Sequence, residues 1–120
     1  MQSVAVTGAS NKPDRYSCKA VKMLLEKGCN VFPVHPVIKE IEGNKVYASL
    51  SEIKEKIDTI TMYVNAVTSA DMAADILKIK PKRVIFNPGA ENTVLAEQLR
   101  SAGIEVLCAC TLVLLSTGQF

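Results

Sequence analysis

Residues that could do covalent or metal chemistry unaided are scarce in this chain of 120 residues. It holds one histidine, His35, and its four cysteines (Cys18, Cys29, Cys108 and Cys110) form no C-x-x-C pair, the closest approach being the C-x-C of Cys108 and Cys110. Zinc-like spacing is therefore absent, and the thiols read as reduced cysteines of an intracellular compartment. Long apolar runs are also missing. The longest, Ile104 to Leu115, is broken by Glu105 and Thr111 and falls short of the ~20 apolar residues of a spanning helix. Met1-Gln2-Ser3 leads into the first apolar run with neither a basic nor an apolar leader segment, so a cytoplasmic protein without a membrane segment is expected. Charge of one sign is lacking as well. With 14 Lys and Arg against 12 Asp and Glu, a net charge of +2 gives no reason to expect a nucleic-acid partner.

Two nucleotide-binding signatures fail at their defining positions. A dinucleotide loop of the G-x-G-x-x-G type needs its second glycine for close approach to a pyrophosphate, and an acidic residue at the end of the second strand for the adenosine ribose. Here Ser10 and Pro13 stand in the region of the later glycines, and Val34-His35-Pro36 stands where the acid belongs. NAD(P) is a poor fit. The P-loop pattern G-x-x-x-x-G-K-[ST] is absent, which argues against nucleotide hydrolysis.

What is present is a sequence 48% apolar, long enough for one continuous core, so a single domain over residues 1–120 is expected. Short β-branched runs alternate with stretches of helical period. That is the pattern of an α/β fold, a doubly wound parallel sheet of five or six strands in three α/β/α layers with the first strand central. Strands are expected at Ser3–Thr7, Asn30–Val34, Asp58–Val64, Lys82–Phe86 and Ile104–Cys108, with a minor one around Lys45–Tyr47. Helices are expected at Ser17–Lys27 (inward Ala20, Val21, Leu24, Leu25, capped by Gly28), briefly at Leu50–Lys56, from the Thr68-Ser69-Ala70-Asp71 start signal (inward Ala73, Ile76, Leu77), and at Glu91–Ala102 (inward Val94, Leu95, Leu99).

In a parallel sheet the residues after each strand share one rim. Gly8-Ala9-Ser10, Val34-His35-Pro36, Asn65-Ala66-Val67 and Asn87-Pro88-Gly89 are therefore expected to line one crevice. Gly8 would let the backbone turn sharply or lie close to a ligand, so that a valine there would spoil binding and spare the core. Ser10, Asn11 and the first N–H groups of the next helix can donate to phosphate oxygens, and Lys12 and Arg15 add two positive charges. The same segment reads equally well as a plain β-α turn with solvated charges.

The segments VAVTGASNKPDRYSCKAVKMLLEKG, VFPVHP, YVNAVTS, PKRVIFNPGAEN and CTLVLLSTGQF, in this order from Val4 to Phe120, resemble the small stand-alone CoA-binding proteins. Their domain is similar to the N-terminal CoA-binding domain of the succinyl-CoA synthetase α subunit. The resemblance implies a Rossmann-like fold with coenzyme A or an acyl-CoA across the C-terminal rim. It implies that Gly8, Ala9 and Ser10 face the ligand, that Lys12 and Arg15 lie near its phosphates, and that Val34 and Pro36 contact the nucleotide end. Asn65 and Ala66 would flank the ligand, and Asn87, Pro88 and Gly89 would border the pantetheine path. A ligand with a 5′-diphosphate and a 3′-phosphate suits two added cations and no acid at the second strand end.

Catalytic groups are few. His35 reads as a ligand-contacting or solvent-facing residue, since no carboxylate is fixed beside it by sequence. Asp14 reads as a cap or loop residue and Glu91 as a favourable charge at a helix start. Cys108 and Cys110 straddle the end of the last strand, and Cys110, as the residue beyond it, is the preferred candidate to meet the thiol of the ligand; the alternative is that both are buried and inert. Within residues 1–120 no counterpart is expected of the synthetase's second domain, with its phosphorylated histidine, or of its ATP-grasp partner. A nucleotide-binding module without its own catalytic machinery is expected; the alternative is an enzyme or subunit acting on an acyl-CoA with groups from a partner.

Overall fold

The computed structural model of the chain describes residues 2–120. In chain order it consists of β1 (Ser3–Thr7), α1 (Tyr16–Glu26), β2 (Asn30–Val34), a hairpin of β3 (Glu40–Ile41) and β4 (Asn44–Lys45), and one 3₁₀ turn at Leu50–Glu52. There follow β5 (Thr59–Met62), α2 (Ala66–Ala70), α3 (Ala73–Ile79), β6 (Arg83–Phe86), α4 (Thr93–Ser101), β7 (Glu105–Cys108) and α5 (Thr111–Ser116). The main sheet has five strands, all parallel, in the order β2-β1-β5-β6-β7. β1 is thus interior, flanked by β2 and β5, while β5 holds the middle position.

Strand side chains alternate between faces, and this alternation makes two cores. Val4 and Val6 of β1 pack with Val21 and Leu24 of α1 and Leu115 of α5. Ala5 points the other way, into a cluster with Ile60, Met62, Val84 and Phe86, covered by Ile76 of α3 and by Leu95 and Leu99 of α4. Helices on both faces give the three layers. Each fully buried branched or aromatic side chain contributes about 1.5–3 kcal/mol over its exposed state, so the two faces together hold the sheet.

Several local expectations are corrected. The minor strand is β4, displaced to Asn44–Lys45 and paired antiparallel with β3 through Glu42-Gly43, both at positive φ (50° and 76°), the signature of a tight hairpin turn. Tyr47 makes only an isolated parallel bridge to Val34. The short helix after Leu50 is a single 3₁₀ turn, ended by extended backbone at Ile53. The helix expected from Thr68 starts earlier, at Ala66, because Asn65 is the cap, its Oδ1 accepting from Thr68 N at 2.9 Å. It is also broken at Asp71–Met72 into α2 and α3. Leu77 and Val94 face outward, not inward; Ile76 and the pair Leu95 and Leu99 carry the buried stripes. Gly28 does end α1, its φ of +83° allowing Gly28 N to donate to Leu25 O and Cys29 N to Leu24 O, a left-handed helix terminus. Helix α5 was hidden in the apolar run that continues from β7.

Candidate functional site

The chain leaves β1 toward β2 through α1, and leaves β2 back across β1 toward β5. The connections diverge between β1 and β5, which is the switch point where doubly wound sheets leave a crevice at the C-terminal ends of their strands. A cleft of about 700 Å³ opens there. Its first wall is the turn after β1. Gly8 has φ +72°, and a Cβ on it would lie 2.9 Å from Val64 Cγ1 and 3.0 Å from the Tyr63 carbonyl carbon. The close approach at Gly8 is thus made to the exit of β5. This adds a structural role to the ligand-facing one expected, so a valine at this position strains the fold as well as the cleft.

The rest of the turn is held by its own backbone. Ala9 N donates to Val34 O at 3.2 Å, tying the turn to the end of β2. Ser10 Oγ accepts from Lys12 N at 3.1 Å, and Arg15 N donates to Lys12 O at 3.0 Å. Arg15 is the N-cap residue of α1, in extended conformation, and no side chain caps the helix. Asp14 therefore caps nothing; it lines the cleft beside Lys12 and Arg15. An uncapped helix start with two exposed cations is a ready anion site.

The second wall is the exit of β2. Val34, His35 and Pro36 line the cleft. The His35 ring is held by its Nδ1, which accepts from Val37 N and Ile38 N, both at 3.0 Å. The third wall comes from Tyr63, Val64, Thr68 and Met72, with Ile38 and Ala48 closing the apolar side. Burial pushes the Tyr63 phenol up to about 12, the hydroxyls of Thr111 and Thr61 offsetting part of the rise and Cys110 adding to it. The Tyr63 hydroxyl is buried with no hydrogen-bond partner: those two threonines lie near it but outside bonding geometry.

Gly8, Ala9, Ser10, Lys12, Arg15, Val34, His35 and Pro36 are thus brought together in one cleft. The other candidates lie outside its lining. Asn65 is spent on capping α2, and Ala66 is the first residue of that helix. Asn87 is buried: its Nδ2 donates to Thr61 Oγ1 (2.7 Å) and Met62 O (2.9 Å), and its Oδ1 accepts from Thr111 N (2.8 Å). Pro88 and Gly89 form the exposed turn beyond it, closed by Glu91 Oε1 accepting from Gly89 N at 2.9 Å. Glu91 thus serves this turn and is not in the first turn of α4, which Asn92 caps. Cys110 is the half-buried cap residue of α5. The lining residues that sequence reasoning missed include Tyr63 and Val64, which become visible once β5 is ended at Met62. Ala48 and Met72 had no local signal, because the Tyr47 bridge and the α2–α3 break place them.

A family model described as CoA binding domain matches residues 2–116. The uncharacterized protein YneT of Bacillus subtilis (strain 168) is 29% identical over 104 residues, covering 87% of this chain and 77% of that protein. The α subunit of the acetate–CoA ligase (ADP-forming) II of Pyrococcus furiosus is 36% identical over 64 residues, which is 52% of this chain but 14% of the subunit. Among solved structures, an uncharacterized protein superposes with TM-score 0.94 at 39% identity, covering 100% of this chain and 98% of its own. The dinucleotide-forming acetyl-coenzyme A synthetase 1 of Ca. Korarchaeum cryptofilum, in complex with phosphate and ADP, superposes with TM-score 0.75 at 26% identity, over 90% of this chain and 25% of that one. The chain belongs to the CoA binding domain family and is homologous to the CoA-binding domain of acetate–CoA ligase α subunits.

Proposed function

We propose that this protein binds coenzyme A or an acyl-CoA in the cleft between β1, β2 and β5, as a ligand-binding module. The observation that carries the reading is the uncapped start of α1 with Lys12 and Arg15 beside it, at one side of a cleft whose other side is apolar. A diphosphate takes the helix N–H groups and the two cations; an uncharged, partly apolar moiety takes the wall of Ile38, Val64 and Met72. Membership of the CoA binding domain family supports the same ligand. Among the described residues no helix is long and apolar enough to cross a membrane.

The test is isothermal titration calorimetry with CoA, dephospho-CoA and NAD. CoA is expected to bind most tightly and NAD least, because His35 stands where a dinucleotide site has a carboxylate for the ribose. Equal affinity for CoA and NAD, or no CoA binding, overturns the assignment. A second reading, a subunit whose catalytic groups come from a partner, is favoured by the match to a short portion of a ligase subunit. It predicts turnover of an acyl-CoA only after the partner is added.

A further inference from the structure

We infer that His35 is a specificity-determining residue, a neutral hydrogen-bond donor locked in one tautomer that reads a phosphate oxygen at the β2 end of the cleft. This rests on the CoA reading above and goes beyond it by assigning the 3′-phosphate discrimination to one ring nitrogen. The chemistry follows from two hydrogen bonds. Backbone N–H groups can only donate, and those of Val37 and Ile38 both reach His35 Nδ1 at 3.0 Å. Nδ1 must therefore carry a lone pair, and the proton of the neutral ring sits on Nε2. Among the described residues no protein group bonds Nε2, and it is not among the buried polar atoms left without a partner, so it stays open to solvent or ligand.

The position of the ring makes this donor useful. His35 follows β2 directly, lines the cleft, and is tied through His35 N to Tyr47 O at 3.0 Å. In sheets of this topology the pyrophosphate lies on the first helix and the adenosine ribose lies toward the end of the second strand. With the diphosphate on the start of α1, the ribose and its 3′-phosphate come to His35. A carboxylate there would accept from ribose hydroxyls and repel a phosphate. A fixed Nε2–H donates to a phosphate oxygen and gains a charge-assisted bond that a free hydroxyl does not offer in full.

The experiment crosses two ligands with two variants by titration calorimetry. His35→Asn keeps an acceptor for the Val37 and Ile38 amides, as an asparagine at the head of a turn does, while its own amide donor stands at the ring's Cδ2 position, short of Nε2; His35→Ala lacks both acceptor and donor. Wild type is expected to prefer CoA over dephospho-CoA about tenfold, the worth of one hydrogen bond to a charged group. His35→Asn is expected to lose most of that preference while holding dephospho-CoA within about twofold of wild type. Imidazole ¹⁵N spectra of wild type should show the Nε2–H tautomer without ligand and a shift of Nε2 on adding CoA that dephospho-CoA does not reproduce. A full preference retained in His35→Asn, or an Nδ1–H tautomer, overturns the assignment to His35 while CoA binding stands. Wild type that binds neither ligand overturns the CoA reading itself.

Discussion

After β1 the chain turns at Gly8 and leaves a cleft; after β6 it turns at Asn87 and fills the space with its own side chain. Both turns lie on the C-terminal rim of one parallel sheet, and both have a glycine at positive φ, Gly8 and Gly89. They differ in where polar groups find partners. At the β1–β2 half, Ser10, Lys12 and the start of α1 make only short local bonds and present cations and N–H groups outward. At the β6–β7 half, Asn87 joins Thr61, Met62 and Thr111 in a network with Thr61 Oγ1 and Thr111 Oγ1 2.7 Å apart. One half of the rim leaves its hydrogen-bonding capacity open to the cleft, and the other spends it on docking α5. A strand end on the correct rim is therefore necessary for a site but not sufficient.

The largest way to break the comparison is Gly8→Val. A β-branched residue at φ +72° costs about 1–2 kcal/mol in backbone strain, and its Cβ would press on Val64 and the Tyr63 backbone, adding about 1–3 kcal/mol. Urea unfolding should show a loss of about 4 kcal/mol, and calorimetry should show no CoA binding by the fraction that remains folded. Stability equal to wild type would mean that Gly8 does not pin β1 to β5.

Asn87→Ala attacks the closed half. It leaves Thr111 N without its partner in a buried place, at about 1–3 kcal/mol for the unsatisfied group, while Met62 O keeps the backbone N–H of residue 87 at 3.3 Å. A loss of about 2 kcal/mol in unfolding free energy is expected, with CoA affinity at low temperature, where the variant is folded, within twofold of wild type. Stability near wild type with weakened CoA binding would return Asn87 to the ligand and erase the contrast between the two halves.

What the amino-acid sequence reveals of this contrast follows from the reach of each signal. β-branched runs and helix caps act within a few residues, so all five strands of the main sheet and most helices are legible in the residue pattern itself, and the rim follows from parallel topology alone. Gly8, Lys12, Arg15 and His35 are legible as cleft residues for that reason. The fate of Asn87 is not, because the partners that bury it, Thr61 and Thr111, lie 26 and 24 residues away in the chain. Ala48 enters the cleft through the bridge of Tyr47 to Val34, which no periodicity announces. Family membership points to CoA, which neither local chemistry nor topology distinguishes from other phosphates.

On the open half, Lys12→Ala and Arg15→Ala sharpen the comparison from the other side. Both side chains are exposed and neither packs in a core, so unfolding curves should stay within about 0.5 kcal/mol of wild type. CoA affinity should fall several-fold in each, the effect shrinking as salt rises, since exposed charge is screened. An affinity indifferent to both substitutions and to salt would move the phosphates away from α1.

The smallest effect is expected where the two halves meet. Tyr63 lines the cleft and packs against the core beneath α1 and α5, while its hydroxyl lies buried beside the Thr61–Thr111 network without joining it. Removing that oxygen takes away an unsatisfied buried polar atom and leaves the ring in place, so Tyr63→Phe should be neutral or stabilising by about 0.5–1 kcal/mol near pH 7, with CoA affinity unchanged. Alkaline pH separates this from a chance gain. The folded phenol titrates near 12 rather than 10, so the folded state keeps a proton that the unfolded chain releases. Unfolding is then favoured progressively from pH 10 toward 12, and this part of the decline should vanish in Tyr63→Phe. Parallel stability–pH curves for the two proteins above pH 10, or a loss of stability at pH 7, would show the hydroxyl bonded to Thr111 or Thr61 and thus already part of the closed half.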